Sequence, residues 1–223
     1  MSFLNRYHAP ADLPQRLPVF PLAGALLLPR ADLPLNIFEP RYLDMVSDAW
    51  ASDRLLGIIQ PQAGQAADLD RPALLPVGCA GRITSYTETS DDRVLITLTG
   101  VCRFAVVEEL DTESAYRQVV ADYHPYAVDL VSDVGANEVN RPALLKAFRE
   151  YLQANDMNAD WEQVDAASTE VLVNTLSLLA PYAARDKQAL LEAPDLKTRA
   201  EVLIALTEMA LARTSRSADR RLQ

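Results

Sequence analysis

The sequence predicts an α+β protein: a small, strongly curved, barrel-like β domain carrying one helix, followed by a helical bundle. Three observations lead there. Residues 17–125 hold many short apolar or alternating runs and one clear helical stripe. Residues 141–213 repeat their apolar side chains at helical spacing. Between them lies an acidic stretch with one glycine, residues 126–140, which reads as a linker. Residues 1–16 carry two prolines and no period, and read as a loosely held arm. Residues 214–223 are rich in Arg and Ser and read as a disordered tail.

The elements follow in order. Leu17 to Leu22, Ala25 to Pro29 and Leu33 to Phe38 are apolar runs broken by proline. Proline cannot donate to a strand ladder, so these runs suit short strands, edges and bends. Pro40 fits the first position of a helix, where its missing N–H costs nothing. Tyr42, Met45, Val46, Ala49 and Trp50 then form one apolar stripe, and the helix should stop near Ser52. Leu55 to Ile59 is a short buried strand, and residues 61–73 are a loop. Val77 to Thr87 and Val94 to Val106 alternate, with Gly100 marking a bend or bulge in the second. Tyr116 to Tyr123 is a further strand. Leu144, Leu145, Phe148, Tyr151 and Leu152 open the helical part. Val171 to Leu179, Lys187 to Glu192 and a last helix from Pro194–Asp195 complete it.

Composition narrows the function. The chain has 223 residues, 49% of them hydrophobic, and a net charge of −10. Residues 108–138 alone hold eight acids and one base, Arg117. Such a face repels nucleic-acid phosphates and anionic lipid head groups, so neither nucleic acid nor membrane is an expected partner. Two cysteines, Cys79 and Cys102, are too few for a disulfide framework. Both fall in strands and read as buried, reduced thiols. With no leader-like segment and no long apolar run, the expected location is cytoplasmic.

Recognisable catalytic patterns are missing. No lysine follows a glycine, so there is no phosphate-cradling loop. The seven glycines never give a dinucleotide fingerprint. His8 and His124 lack ligands at usable spacing. No serine sits in a nucleophile elbow. No catalytic, metal or cofactor-binding residue is therefore expected, and no cofactor.

One ordered series of motifs is distinctive. Leu17-Pro18-Val19-Phe20-Pro21-Leu22 comes first. Leu27-Leu28-Pro29, Leu33-Pro34-Leu35 and Ile37-Phe38-Glu39-Pro40-Arg41-Tyr42 follow. Further on stand Val77-Gly78-Cys79-Ala80-Gly81-Arg82-Ile83, Gly100-Val101-Cys102-Arg103-Phe104, and the helical Lys187 to Glu192 and Leu196 to Ala200. This series resembles the amino-terminal substrate-binding domain of Lon proteases across about residues 17–210. The resemblance implies a pseudo-barrel related to the PUA fold, followed by a helical bundle. It implies a domain that helps recognise unfolded substrate, here expected to stand alone without ATPase or peptidase segments.

On that basis the expected function is non-catalytic recognition of unfolded or extended polypeptides, with a protease as further partner. The residues expected to carry it are Phe20, Leu35, Phe38, Glu39, Arg41 and Tyr42. A cation in a helix's first turn opposes the dipole, so Arg41 should be held by a carboxylate or by carbonyls. Two alternatives stand beside this one: an RNA-binding PUA-like module, and an unrecognised hydrolase in the barrel mouth.

Overall fold

The computed structural model describes residues 6–62, 71–179 and 181–221, with side chains up to residue 213. The chain divides into two compact units, Met1–Ser132 and Asp133–Gln223. Residues 1–5, most of the loop expected at 61–73, and the side chains of the 214–223 tail lie outside the described residues.

The first unit contains six strands: β1 (Arg16–Pro21), β2 (Asp32–Ile37), β3 (Leu55–Pro61), β4 (Leu74–Glu88), β5 (Val94–Leu110) and β6 (Arg117–Asp122). Helix α1 (Pro40–Ala51) stands between β2 and β3. Strand order is β2-β5-β4-β3-β1-β6, and β5 pairs a second time with β6. That second pairing closes five strands into a ring and leaves β2 at the margin. Among the described strand pairs only β1 and β3 run parallel, joined by the crossover through α1.

Closure depends on β5, which is long enough to serve both ends of the sheet. Its first half pairs with β2 and its last residues with β6. The bend foreseen at Gly100 is present. Gly81 faces Gly100 and Ala80 faces Cys102, so Val101 has no counterpart on β4. Gly100 also accepts another chain segment. Its N–H donates to Ala31 and its carbonyl accepts from Arg30. A Cβ at Gly100 would meet the Leu28 carbonyl oxygen at 2.0 Å, so only glycine allows the crossing. Phe104 fills the ring interior with Leu17, Val19 and Val119. It lies where a Cβ on Gly78 would collide with its ring at 2.5 Å.

Helix α1 forms as its stripe requires. Tyr42, Met45, Val46 and Ala49 are buried, and the C-cap is Ser52. Each large apolar side chain so buried contributes roughly 1.5–3 kcal/mol. Cys79 and Cys102 are buried thiols, and among the described residues neither forms a disulfide.

Two expectations need correction. The arm at 1–16 is not loose over its described part. Tyr7 and Leu13 are core residues, and the Tyr7 hydroxyl accepts from Arg82 at 2.9 Å. The Asp12 carboxylate accepts from the His8 and Ala9 N–H groups, a local fold that hydrophobic period does not reveal. Nor is 126–140 a plain linker. His124–Leu130 is a 3-10 segment carrying buried Asp129. The Arg103 backbone N–H, Nε and Nη2 all donate to that carboxylate, at 2.8–2.9 Å. The Arg103 guanidinium also lies 4.7 Å from the Tyr126 ring centroid.

The second unit is helical: α2 (Arg141–Ala154), α3 (Trp161–Ala166), α4 (Thr169–Leu179), α5 (Ala184–Glu192) and α6 (Leu196–Arg221). Asn140, Asp160 and Asp195 accept N–H bonds at the starts of α2, α3 and α6. Helix α3, too short for a periodic signal, was not foreseen. Helix α6 continues to Arg221, so the backbone expected to form a tail from residue 214 is helical as far as that residue. Arg199 on α6 donates to the Leu190 carbonyl and to Asn174 Oδ1, tying α5 and α4 to α6.

Breaking a buried ion pair strands a charge, which costs about 3–5 kcal/mol. We expect Asp129→Asn to lower the unfolding free energy extrapolated from urea titration by an amount in that range, with a matching fall in midpoint, since Arg103 is only 1% exposed. An unchanged midpoint would contradict the assigned role of the pair.

Candidate functional site

The six residues singled out from the sequence fall into two groups. Four gather at the start of α1. The Phe20 and Tyr42 rings lie 4.1 Å apart by centroid. The Arg41 guanidinium sits 4.6 Å from the Tyr42 centroid and bonds Glu39 Oε2 through Nη2 at 2.8 Å and Nε at 3.1 Å. Glu39 is the N-cap of α1, but its side chain makes no capping bond. It serves Arg41 instead, as the dipole argument required. Both partners are about half exposed, so the pair fixes geometry more than stability.

A small pocket of about 200 Å³ opens beside this group, between Arg41, Tyr42, Tyr116, Arg117, Pro61 and Pro72. Its polar walls are already engaged. Arg117 donates to Glu109 and to the Pro72 carbonyl, and Arg71 donates to Glu109 as well. The arginines hold the Glu109 carboxyl below its ordinary value. The Tyr116 hydroxyl donates to Asp48 at 2.7 Å, and burial, then that bond, push its pKa to about 12. Burial raises the Tyr42 hydroxyl as well, so neither tyrosine here is poised for acid–base chemistry near neutral pH.

Leu35 and Phe38 form the second group, on β2 and just beyond it. Strand β2 pairs with β5 from Asp32↔Thr99 to Ile37↔Val94, and among the described residues β5 is its sole partner strand. Among the described residues no strand pairs with its other edge. Proline at position 34 is where an edge strand tolerates it. Leu35 lies in an open groove of about 390 Å³ with Pro34, Asn36, Ser85, Leu95 and Thr97. Phe38 is 61% exposed, and the Arg93 guanidinium stands 5.8 Å from its ring centroid.

Leu95 and Arg93 were not singled out beforehand. The signal was available: Val94, Ile96 and Leu98 face inward, so Leu95 is an apolar residue on the outward side of β5, where it is 44% exposed. Tyr116 and Arg117 left no such signal, because only the closure of β6 on β1 brings them near α1.

The nucleophile candidates are elsewhere. Burial pushes the Cys102 thiol far up. His124 bonds Asp122 at 2.8 Å on an exposed turn. Among the described residues no group of three His, Cys, Asp or Glu is placed to hold a metal ion. No helix among them is long and apolar enough to cross a membrane.

A closed five-stranded barrel with an open marginal strand, joined in sequence to a helical bundle, defines an α+β module of the Lon amino-terminal kind. Residues 16–208 match the model for the ATP-dependent protease La (LON) substrate-binding domain, and the chain belongs to that family. Lon protease 2 of Myxococcus xanthus is 26% identical over 209 residues, covering 87% of this chain and 24% of that protein. The Lon protease of Heliobacterium modesticaldum is 23% identical, covering 94% and 26%. The chain thus spans about a quarter of the length of these relatives. Among solved structures, a Lon N-terminal domain protein from Xanthomonas campestris superimposes with a TM-score of 0.61 at 23% identity, covering 85% of this chain and 97% of that one. The N-terminal domain of Mycobacterium avium complex Lon protease gives 0.58 at 18% identity, covering 86% and 98%. These likenesses establish the fold.

The Glu109 cluster has a pH signature. Its folded pKa is depressed below the ordinary carboxyl value of 4.5, so its contribution is present above that value and lost as pH falls through the folded pKa. Wild-type protein should therefore exceed Glu109→Gln in urea midpoint at pH 7, and the gap should shrink steadily below about pH 4.5. A gap that stays constant into acid would contradict the ion-pair assignment.

Proposed function

We propose that the chain is a non-catalytic polypeptide-recognition module that captures an extended segment along the open edge of β2. The carrying observation is geometric: a marginal strand that, among the described residues, is paired on one side only, beside a groove holding Leu35 and Leu95 and next to exposed Phe38. An unfolded chain has unpaired N–H and C=O groups. It can continue the sheet through them while alternate side chains enter the groove. A folded protein has spent those groups and cannot. The family description, a substrate-binding domain, points the same way. A protease is the proposed recipient of the captured chain.

Phe20, Glu39, Arg41 and Tyr42 act in this reading as a wall that orients Phe38. The stacked rings and the Arg41–Glu39 pair fix the start of α1, the residue immediately after Glu39. The groove lining contains no acid and no histidine, which favours binding over hydrolysis. Net charge of −10 opposes RNA.

Anisotropy of a labelled, permanently unfolded polypeptide tests the proposal, with a folded protein and a single-stranded RNA in parallel. Saturable binding to the unfolded chain alone is expected. Phe38→Asp or Leu95→Asp should weaken it about tenfold or more, since each replaces an apolar contact with a charge to be desolvated. Both sites are exposed, so the urea midpoint should move by less than about 0.5 kcal/mol equivalent. Binding indifferent to both substitutions would overturn the assignment to β2.

A further inference from the structure

We infer that the helical unit holds a binding site for a neutral, mainly aromatic or hydrocarbon small molecule bearing one O–H or N–H donor. The site is a cavity of about 410 Å³ among α2, α4 and α6. Leu144, Phe148, Leu152, Met157, Leu176 and Leu203 supply most of its wall, and no lining residue is charged. An engineered apolar cavity of roughly 150 Å³ takes up benzene and stays dry otherwise. A cavity this much larger suits a bicyclic or medium-chain molecule.

The polar end decides the chemistry. Tyr182 and Thr207 both line the cavity. Their hydroxyl oxygens lie 2.7 Å apart. Thr207 has a single hydroxyl proton, and it goes to the Leu203 carbonyl at 2.7 Å, because a carbonyl can only accept. The shared bond between the hydroxyls must then be donated by Tyr182. Its one proton is spent, and its oxygen is left as an acceptor only. Burial raises the Tyr182 pKa, so the group stays neutral. A ligand must therefore bring the proton. Carboxylates are disfavoured twice, by the lone pair on Tyr182 and by the absence of any cation in the wall. The site belongs to the second unit's own helices and does not depend on the polypeptide reading.

Calorimetric titration with three probes tests the inference: indole, N-methylindole and indole-3-carboxylate. Indole carries the ring and the N–H donor, N-methylindole the ring alone, and the carboxylate adds a charge. Indole should saturate with a Kd below about 1 mM, as ligand efficiency allows for a molecule of about nine non-hydrogen atoms. N-methylindole should bind about tenfold more weakly, the worth of one hydrogen bond. Indole-3-carboxylate should not bind. Tyr182→Phe keeps the ring and the fold but removes the acceptor. It should bring indole down to the N-methylindole affinity and leave N-methylindole unchanged. Failure of indole to bind the folded protein would overturn the inference. So would equal affinity for all three probes, or an indole preference that survives Tyr182→Phe. Displacement of indole by unfolded polypeptide would also overturn it, since the cavity would then receive substrate side chains.

Discussion

The buried Arg103–Asp129 pair is the interaction on which the β unit turns. Three donors from one residue converge on one carboxylate, and Arg30 donates to the Asp129 carbonyl. The pair therefore joins β5, the 124–130 segment and the 28–31 crossing. That crossing bonds Gly100, three residues before Arg103. Strand β5 must bend here to reach both β2 and β6, and the pair holds the bend. A buried pair adds little over a well-packed apolar substitute. Its role is to fix which arrangement forms, because any other leaves a full charge stranded. The placement of the open β2 edge follows from that choice.

Much of this arrangement could be read in the sequence, and the remainder has physical reasons for being hidden. Helix α1 was legible because Tyr42, Met45, Val46 and Ala49 repeat at one period within one element. The bend at Gly100 was legible because a glycine interrupts an alternating run. Its cause, the Leu28 carbonyl, was not, since that contact spans seventy-odd residues. Tyr7 and Leu13 read as part of an arm because isolated apolar residues between prolines carry no period, yet both are core. Asp129 read as one more linker acid, because nothing local distinguishes a carboxylate that will meet a buried guanidinium. Of the candidate site, the β2 side was legible from proline-broken apolar runs. Its β5 side required the register Asn36↔Leu95, which sets exposed Leu95 across from β2.

The two surfaces proposed for binding share a chemical trait. Neither the groove nor the helical cavity contains a charged side chain. Several acids and arginines are instead paired with one another, as Glu39 with Arg41, Glu109 with Arg117 and Asp129 with Arg103. Charge is thus spent on fixing the frame, and recognition is left to apolar contact and backbone hydrogen bonding. That division suits the proposed reading, in which many extended sequences are accepted and folded ones refused.

Amide hydrogen exchange of the full chain, with and without a saturating unfolded polypeptide, tests the central claim most directly. Slowed exchange concentrated at residues 32–38, with no comparable change at β6, is the result expected of strand addition at β2. Binding that leaves the 32–38 amides unprotected, or protects another segment in their place, would show that the open edge is not where polypeptide is received.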